Sequence, residues 1–183
     1  MRALAQGVAV LMLVAVAASS ARAQSHRDPL TDREIDMLRE VAPEPAPKIK
    51  LYIQFAHARM DAIEQARADT TLSPKERGRK IHEALLDLGN LVDEIGSNLE
   101  SFQKRHQEMR KPLRSVISMD GDFKARLAAL KQQASNPALA EEFQEYRYVL
   151  DDVLDSVASS RDLARDLLEE QNQAAGEDKD KKK

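Results

Sequence analysis

Apolar residues recur along this chain at alternating spacings of three and four, the repeat that places side chains on one face of an α-helix. The longest series is Ile81, Leu85, Leu88, Val92, Ile95, Leu99, Phe102, His106, Met109, Leu113, Val116, Asp120, Phe123, Leu127 and Leu130, in which only His106 and Asp120 are polar. A shorter series, Ile49, Ile53, Ala56, Met60 and Ile63, precedes it. Another, Leu139, Phe143, Tyr146, Leu150, Val153, Val157, Ala164 and Leu167, follows it. The pattern predicts an all-α fold.

Helix limits are written beside these stripes. Thr31 and Glu34, flanked by Leu30 and Ile35, form a capping box with a hydrophobic staple, which predicts a short helix from about 32 to 42. Pro43, Pro45 and Pro47 lack amide protons and restrict the residues before them, so 43–47 reads as a stiff extended linker, with Pro47 also suited to open the next helix. That helix should run from 48 to about 69. Ser73 and Glu76 make a second capping box with Pro74 at the first helical position, and Asn136-Pro137 opens the last helix, which should fray near Gln171.

Pro112 falls inside the longest series, where an interior proline costs roughly 3 kcal/mol. Residues 108–113 contain no Gly, Asn or Asp on which to turn. The expectation is therefore one helix from Pro74 to about Ala134, kinked at Pro112, with the two flanking helices antiparallel to its ends. Such an elongated antiparallel bundle or coiled coil would reach roughly 90 Å at about 1.5 Å per residue. Adjacent apolar pairs, Leu91 with Val92, Val149 with Leu150, Val153 with Leu154 and Leu167 with Leu168, make the stripes wider than a two-stranded seam needs. Either the long helix folds back at Pro112 into a compact four-helix bundle, or chains form a homodimer.

The N-terminus changes the setting. Arg2, the apolar run Gly7 to Ala18, and Ala21-Arg22-Ala23 have the order of a secretory signal peptide, so 1–23 should be removed and the mature chain should begin at Gln24. Intact mass of the exported form tests that processing directly. The run is about a dozen residues, against the roughly twenty that span a bilayer, so no membrane span is expected in the mature chain. The expected location is periplasmic or extracellular. Without any cysteine the chain can carry no disulfide, no lipid on an N-terminal cysteine and no covalently attached haem. The domain plan is then signal peptide 1–23, capped helix and Pro-rich linker 24–46, helical bundle 47–173, and a disordered charged tail 174–183.

Loss of Arg2 and Arg22 with the signal leaves 26 basic against 31 acidic residues, a balance that argues against nucleic acid as a partner. Aromatic residues are only 4% and charged residues 32%, as in long solvated helices and unlike an aromatic-lined ligand pocket.

Candidate chemistry is sparse. A di-metal carboxylate bundle needs Glu-x-x-His, but Gln54 precedes His57, Arg79 precedes His82 and Gln103 precedes His106 at that spacing. His57 and His82, with Asp61 and Asp87 near by, suit a mixed zinc site only if they meet across the turn; the plainer expectation is a half-exposed surface pair. His106 and Asp120, two heptads apart in the core ladder, either fix helix register and sense pH or reach water at the bundle edge. Ser156, Ser159 and Ser160 have no histidine near them in sequence, and Asp120-Gly121-Asp122 and Asp151-Asp152 lack the spacing of a calcium loop. No catalytic, cofactor or metal residues are predicted.

Leu30-Thr31-Asp32-Arg33-Glu34 and Leu72-Ser73-Pro74-Lys75-Glu76 resemble the Leu-Thr-x-x-Gln signature of small periplasmic helical chaperones of the Spy and CpxP type. Glu replaces Gln in both copies and Ser replaces Thr in the second. The resemblance implies an exported, all-helical, dimeric stress chaperone or sensor. The leading expectation remains an exported non-enzymatic helical protein that acts by self-association or by binding another protein of the cell envelope, with the chaperone second and a metal-binding bundle third.

Overall fold

A computed structural model describes residues 28–41, 43–133 and 136–180, with the side chains of 177–180 left aside. The expected signal peptide at 1–23 lies outside these residues. Among the described residues the fold is all-α, as the periodicity predicts, with helices α1 (Asp32–Val41), α2 (Pro45–Ala68), α3 (Pro74–Lys104), α4 (Arg110–Gln133) and α5 (Ala140–Asp180).

The helix starts follow the capping chemistry. Glu34 N–H donates to Thr31 Oγ1 at 3.3 Å while Thr31 N–H donates to the Glu34 carboxylate at 2.8 Å. Ser73 and Glu76 make the same reciprocal pair, and Asn136 Oδ1 accepts from Ala138 N–H in a 3-10 turn, Pro137–Leu139, that leads into α5. The Pro-rich linker is shorter than expected. Glu44 is the extended cap of α2, so Pro45 and Pro47 sit inside the first turn, where amides have no partner within the helix and proline removes no bond. At the other end, α5 runs through Gln171 to Asp180 rather than fraying into a tail at 174. Gln173 donates to Glu169 one turn back, and Ala174 and Ala175 are strong helix formers.

The single kinked helix across Pro112 does not form. The chain leaves α3 at Lys104, turns through His106 in the left-handed region at φ 55°, and re-enters helix at Arg110. Leu113 N–H donates to Met109 carbonyl at 2.9 Å, so Pro112 lies in the first turn of α4 and has no bond to delete. The heptad phase survives because the turn is of a length that returns Met109 and Leu113 to the core, not because helix continues. Gln171 of α5 holds this turn: its Oε1 accepts from Met109 N–H at 2.9 Å and its Nε2 donates to Gln107 carbonyl at 2.9 Å.

The side-chain links fix the topology. Arg77 to Glu142, His82 to Glu145 and Gln103 to Gln171 run in the same order along both chains, so α3 and α5 are parallel neighbours. Lys131 to Asp151 and Asp120 to Ser160 run in opposite order, so α4 is antiparallel to α5. Arg126 to Asp61 and Glu64, and Arg67 to Gln133, place α2 beside α4 in parallel. Around the bundle the order is α2, α3, α5, α4, with the 105–109 turn crossing a diagonal. This is the compact four-helix alternative: among the described residues α5, with 41 residues, is the longest element at about 60 Å, and no helix reaches 90 Å. The short α1 lies against α2, where Arg59 donates to both Glu34 oxygens at 2.7 Å and to Pro29 carbonyl at 2.6 Å.

One core runs the length of the bundle, from Ile49, Met60 and Ile63 through Leu85, Leu88 and Leu99 to Phe123, Leu150 and Val157. Leu88 is fully buried and Val153 nearly so. Leu88→Ala or Val153→Ala is therefore expected to cost about 1–4 kcal/mol in urea unfolding, whereas exposed Arg79→Ala should change it by less than about 0.5 kcal/mol.

The seam between α3 and α5 is built on glycine. A Cβ on Gly78 would lie 2.5 Å from Glu142 carbonyl oxygen and 2.9 Å from Glu145 Cβ, and one on Gly89 would lie 3.1 Å from Val153 Cγ2. The parallel backbones are this close because neither position carries a side chain.

Candidate functional site

Asp120 occupies the core position the ladder assigns it, wholly buried on α4. Ser160 Oγ of α5 donates to its Oδ2 at 2.9 Å, while Oδ1 has no hydrogen-bond partner. Nε of neighbouring Arg161 is also buried without one. Burial disfavours the carboxylate more than the Ser160 hydroxyl and the Arg161 charge favour it, and the Asp120 carboxyl is pushed up to about 7. This group can hold a proton near neutrality. Its bond to the buried Ser160 hydroxyl ties α4 to α5 and fixes the register of the two helices.

The other ladder polar residue does not reach the core. His106 is exposed at the 105–109 turn, because its left-handed backbone lies between two helices rather than inside one. His57 and His82, the pair considered for a zinc site across the turn, face different helices. His57 on α2 stacks edge-on against Phe123 of α4, with ring centroids 4.9 Å apart. His82 on α3 donates from Nδ1 to the Glu145 carbonyl of α5 at 2.8 Å, since a carbonyl can only accept. Asp61 is drawn to Arg126. Among the described residues no group of three His, Asp or Glu side chains is placed to hold a metal ion. Sequence periodicity put both histidines beside the stripe, but which neighbouring helix each would meet depends on the bundle order.

Two surfaces carry unbalanced charge. On α5, Asp152, Asp155, Ser159, Asp162, Asp166 and Glu169 recur at spacings of three and four and are all exposed, forming an acidic ridge away from the core. None of its acids is ion-paired among the described residues. The heptad reading missed this ridge because it followed apolar positions; the same count on acidic positions finds it.

The second surface lies between α2 and α4. Their seam divides into two halves. Toward the C-terminal end of α4, Arg126 is bound by Asp61 at 3.0 Å, Glu64 at 2.8 Å and Asp122 at 3.5 Å, which closes the seam. Toward the N-terminal end it opens into a groove of about 430 Å³ with Ile53 and Met119 at its floor and His57, Lys111, Arg114 and Ser118 around it, and with Asp122, the acid held by Arg126, also in its wall. Lys111 and Arg114 are exposed, and neither is ion-paired among the described residues.

Comparison with protein-family models, with curated proteins and with solved structures finds no match to this chain.

Proposed function

We propose that the chain is an exported, non-enzymatic helical protein that works through its surface, by self-association or by binding another protein in the cell envelope. The observation that carries this reading is the separation of unpaired charge onto two faces of one packed bundle. Acids are aligned on α5, and Lys111 and Arg114 rim the α2/α4 groove. Oriented charge of this kind steers and registers a protein partner. Asp120, whose carboxyl is pushed up to about 7, is buried between α4 and α5 and belongs to neither face.

The chaperone alternative has less support. Binding of unfolded clients calls for a contiguous apolar patch, and the exposed large apolar side chains among the described residues are Leu86 and Tyr148.

Co-purification of the tagged full-length chain from its native cell envelope, after cross-linking, tests the reading. The expected result is a discrete product, either a multimer of the chain or one other protein, that is lost when Asp155 and Asp162 are changed to Lys. Turnover of a small substrate by the purified chain, or suppression of client aggregation with no discrete partner, would contradict it.

A further inference from the structure

We infer that the α2/α4 groove of one copy receives the acidic α5 ridge of another, so that the chain associates with itself. The inference rests on the surface-binding function proposed above and names the partner as a second copy. Four observations support it. The groove end of α4 presents Lys111 and Arg114 without ion-pair partners among the described residues, whereas the other end of the same seam is neutralised by acids from its own chain. The ridge presents Asp152, Asp155, Asp162 and Asp166 likewise unpaired, over about 20 Å of helix. Within the chain, Glu108 acts on Arg114 through space without an ion pair to it and Asp122 of the groove wall is held by Arg126, so complementarity between the two surfaces is only partly used up within one molecule.

The third observation is steric. Ser118, Gly121, Ala125 and Ala128 continue the outer face of α4 beyond the basic pair, all of them short, with open space above Gly121. A second helix can lie close against such a face, and the α5 ridge is itself built of short side chains interrupted by Ser159. The fourth is the floor. Ile53 and Met119 give the groove an apolar base that an ionic rim surrounds, the layout of a protein contact with a desolvated centre.

Ridge and groove are different surfaces on one chain, so the contact either closes reciprocally in a two-fold dimer, ridge to groove and groove to ridge, or runs on into a ring or an open chain. Exposed ion pairs contribute little singly and are screened by salt, so the association is weak and strongest at low ionic strength.

Charge exchange tests this directly by sedimentation velocity on the folded, full mature chain. The wild-type weight-average mass should rise with concentration to that of a dimer or beyond at ~20 mM salt and fall toward the monomer at ~500 mM. Lys111→Glu with Arg114→Glu, and separately Asp155→Lys with Asp162→Lys, should each weaken association at least about tenfold. All four sites are exposed, and circular dichroism checks that the variants remain helical. Mixing the two variants should restore association, because the acidic groove of one now meets the basic ridge of the other. A wild-type chain that stays monomeric, reversals without effect, or no rescue on mixing would each overturn the inference. Loss of an envelope partner on Asp155→Lys with Asp162→Lys, in a chain that never self-associates, would overturn this contact alone and leave the surface-binding function standing.

Discussion

Gly78→Ala is expected to destabilise the bundle by about 1–3 kcal/mol, although alanine is the better helix former by about 1 kcal/mol. The new methyl would sit 2.5 Å from the Glu142 carbonyl oxygen, a backbone atom that cannot turn aside, so α3 and α5 must separate. Separation also strains the Arg77 to Glu142 ion pair, 2.6 Å long and largely buried, and the His82 to Glu145 bond. Gly121 provides the internal control. Nothing lies within 4 Å of a Cβ there, so Gly121→Ala should stabilise by about 0.5–1 kcal/mol through helix propensity alone. Urea unfolding of both variants checks the pair of results. Equal stabilisation at both positions would show that α3 and α5 do not approach through Gly78.

Asp120→Asn should raise stability at pH 8 by about 2–4 kcal/mol and leave it nearly unchanged at pH 4. In the folded chain the Asp120 carboxyl is pushed up to about 7 by burial, from an ordinary value of 3.8. Between those values the folded state holds a proton that the unfolded state has released. Its contribution to stability is therefore greatest below about pH 4, declines as pH rises toward 7, and is flat above that. A gap of about three units, at about 1.4 kcal/mol each, sets the upper bound on the loss. Asn keeps the shape and can accept from the Ser160 hydroxyl without ionising. The difference between the wild-type and Asn chains isolates this group from the surface acids. Glu34 and Glu76 contribute with the opposite sign: against its burial, the bonds from Arg59 and then Thr31 hold Glu34 below the ordinary carboxylate range, the Ser73 bonds do the same for Glu76, and both sets are lost as pH falls. A wild-type minus Asn difference that does not vary with pH would contradict the burial of an ionisable Asp120.

Local chemistry was legible in the residues; long-range order was not. Thr31 with Glu34, Ser73 with Glu76 and Asn136 with Pro137 mark helix starts because capping involves groups within three positions. The core likewise follows from periodicity: nearly every apolar member of the ladder is buried. Pro112 misled because an unbroken heptad count does not distinguish a helix from two helices joined by a turn of matching length. The turn needs one left-handed residue, and it uses His106 rather than Gly, Asn or Asp. Parallel packing of α3 on α5 was equally hidden. Its only sequence trace is the placement of Gly78 and Gly89 on the α5-facing edge of the α3 stripe, a placement whose meaning depends on knowing which helix lies opposite. The acidic ridge was visible as spacing, yet its separation from the basic groove depends on the order of helices around the bundle.

The most direct measurement is photo-cross-linking in the living cell, with the reactive side chain placed at Ser159 on the α5 ridge, at Ser118 beside the α4 groove, and at Arg79 on the outer face of α3 as control. Surface action through the charged faces predicts discrete adducts from Ser159 and Ser118, to a further copy of the chain or to one envelope protein, and none from Arg79. Adducts absent at both Ser159 and Ser118, or equally diffuse at all three positions, would contradict it.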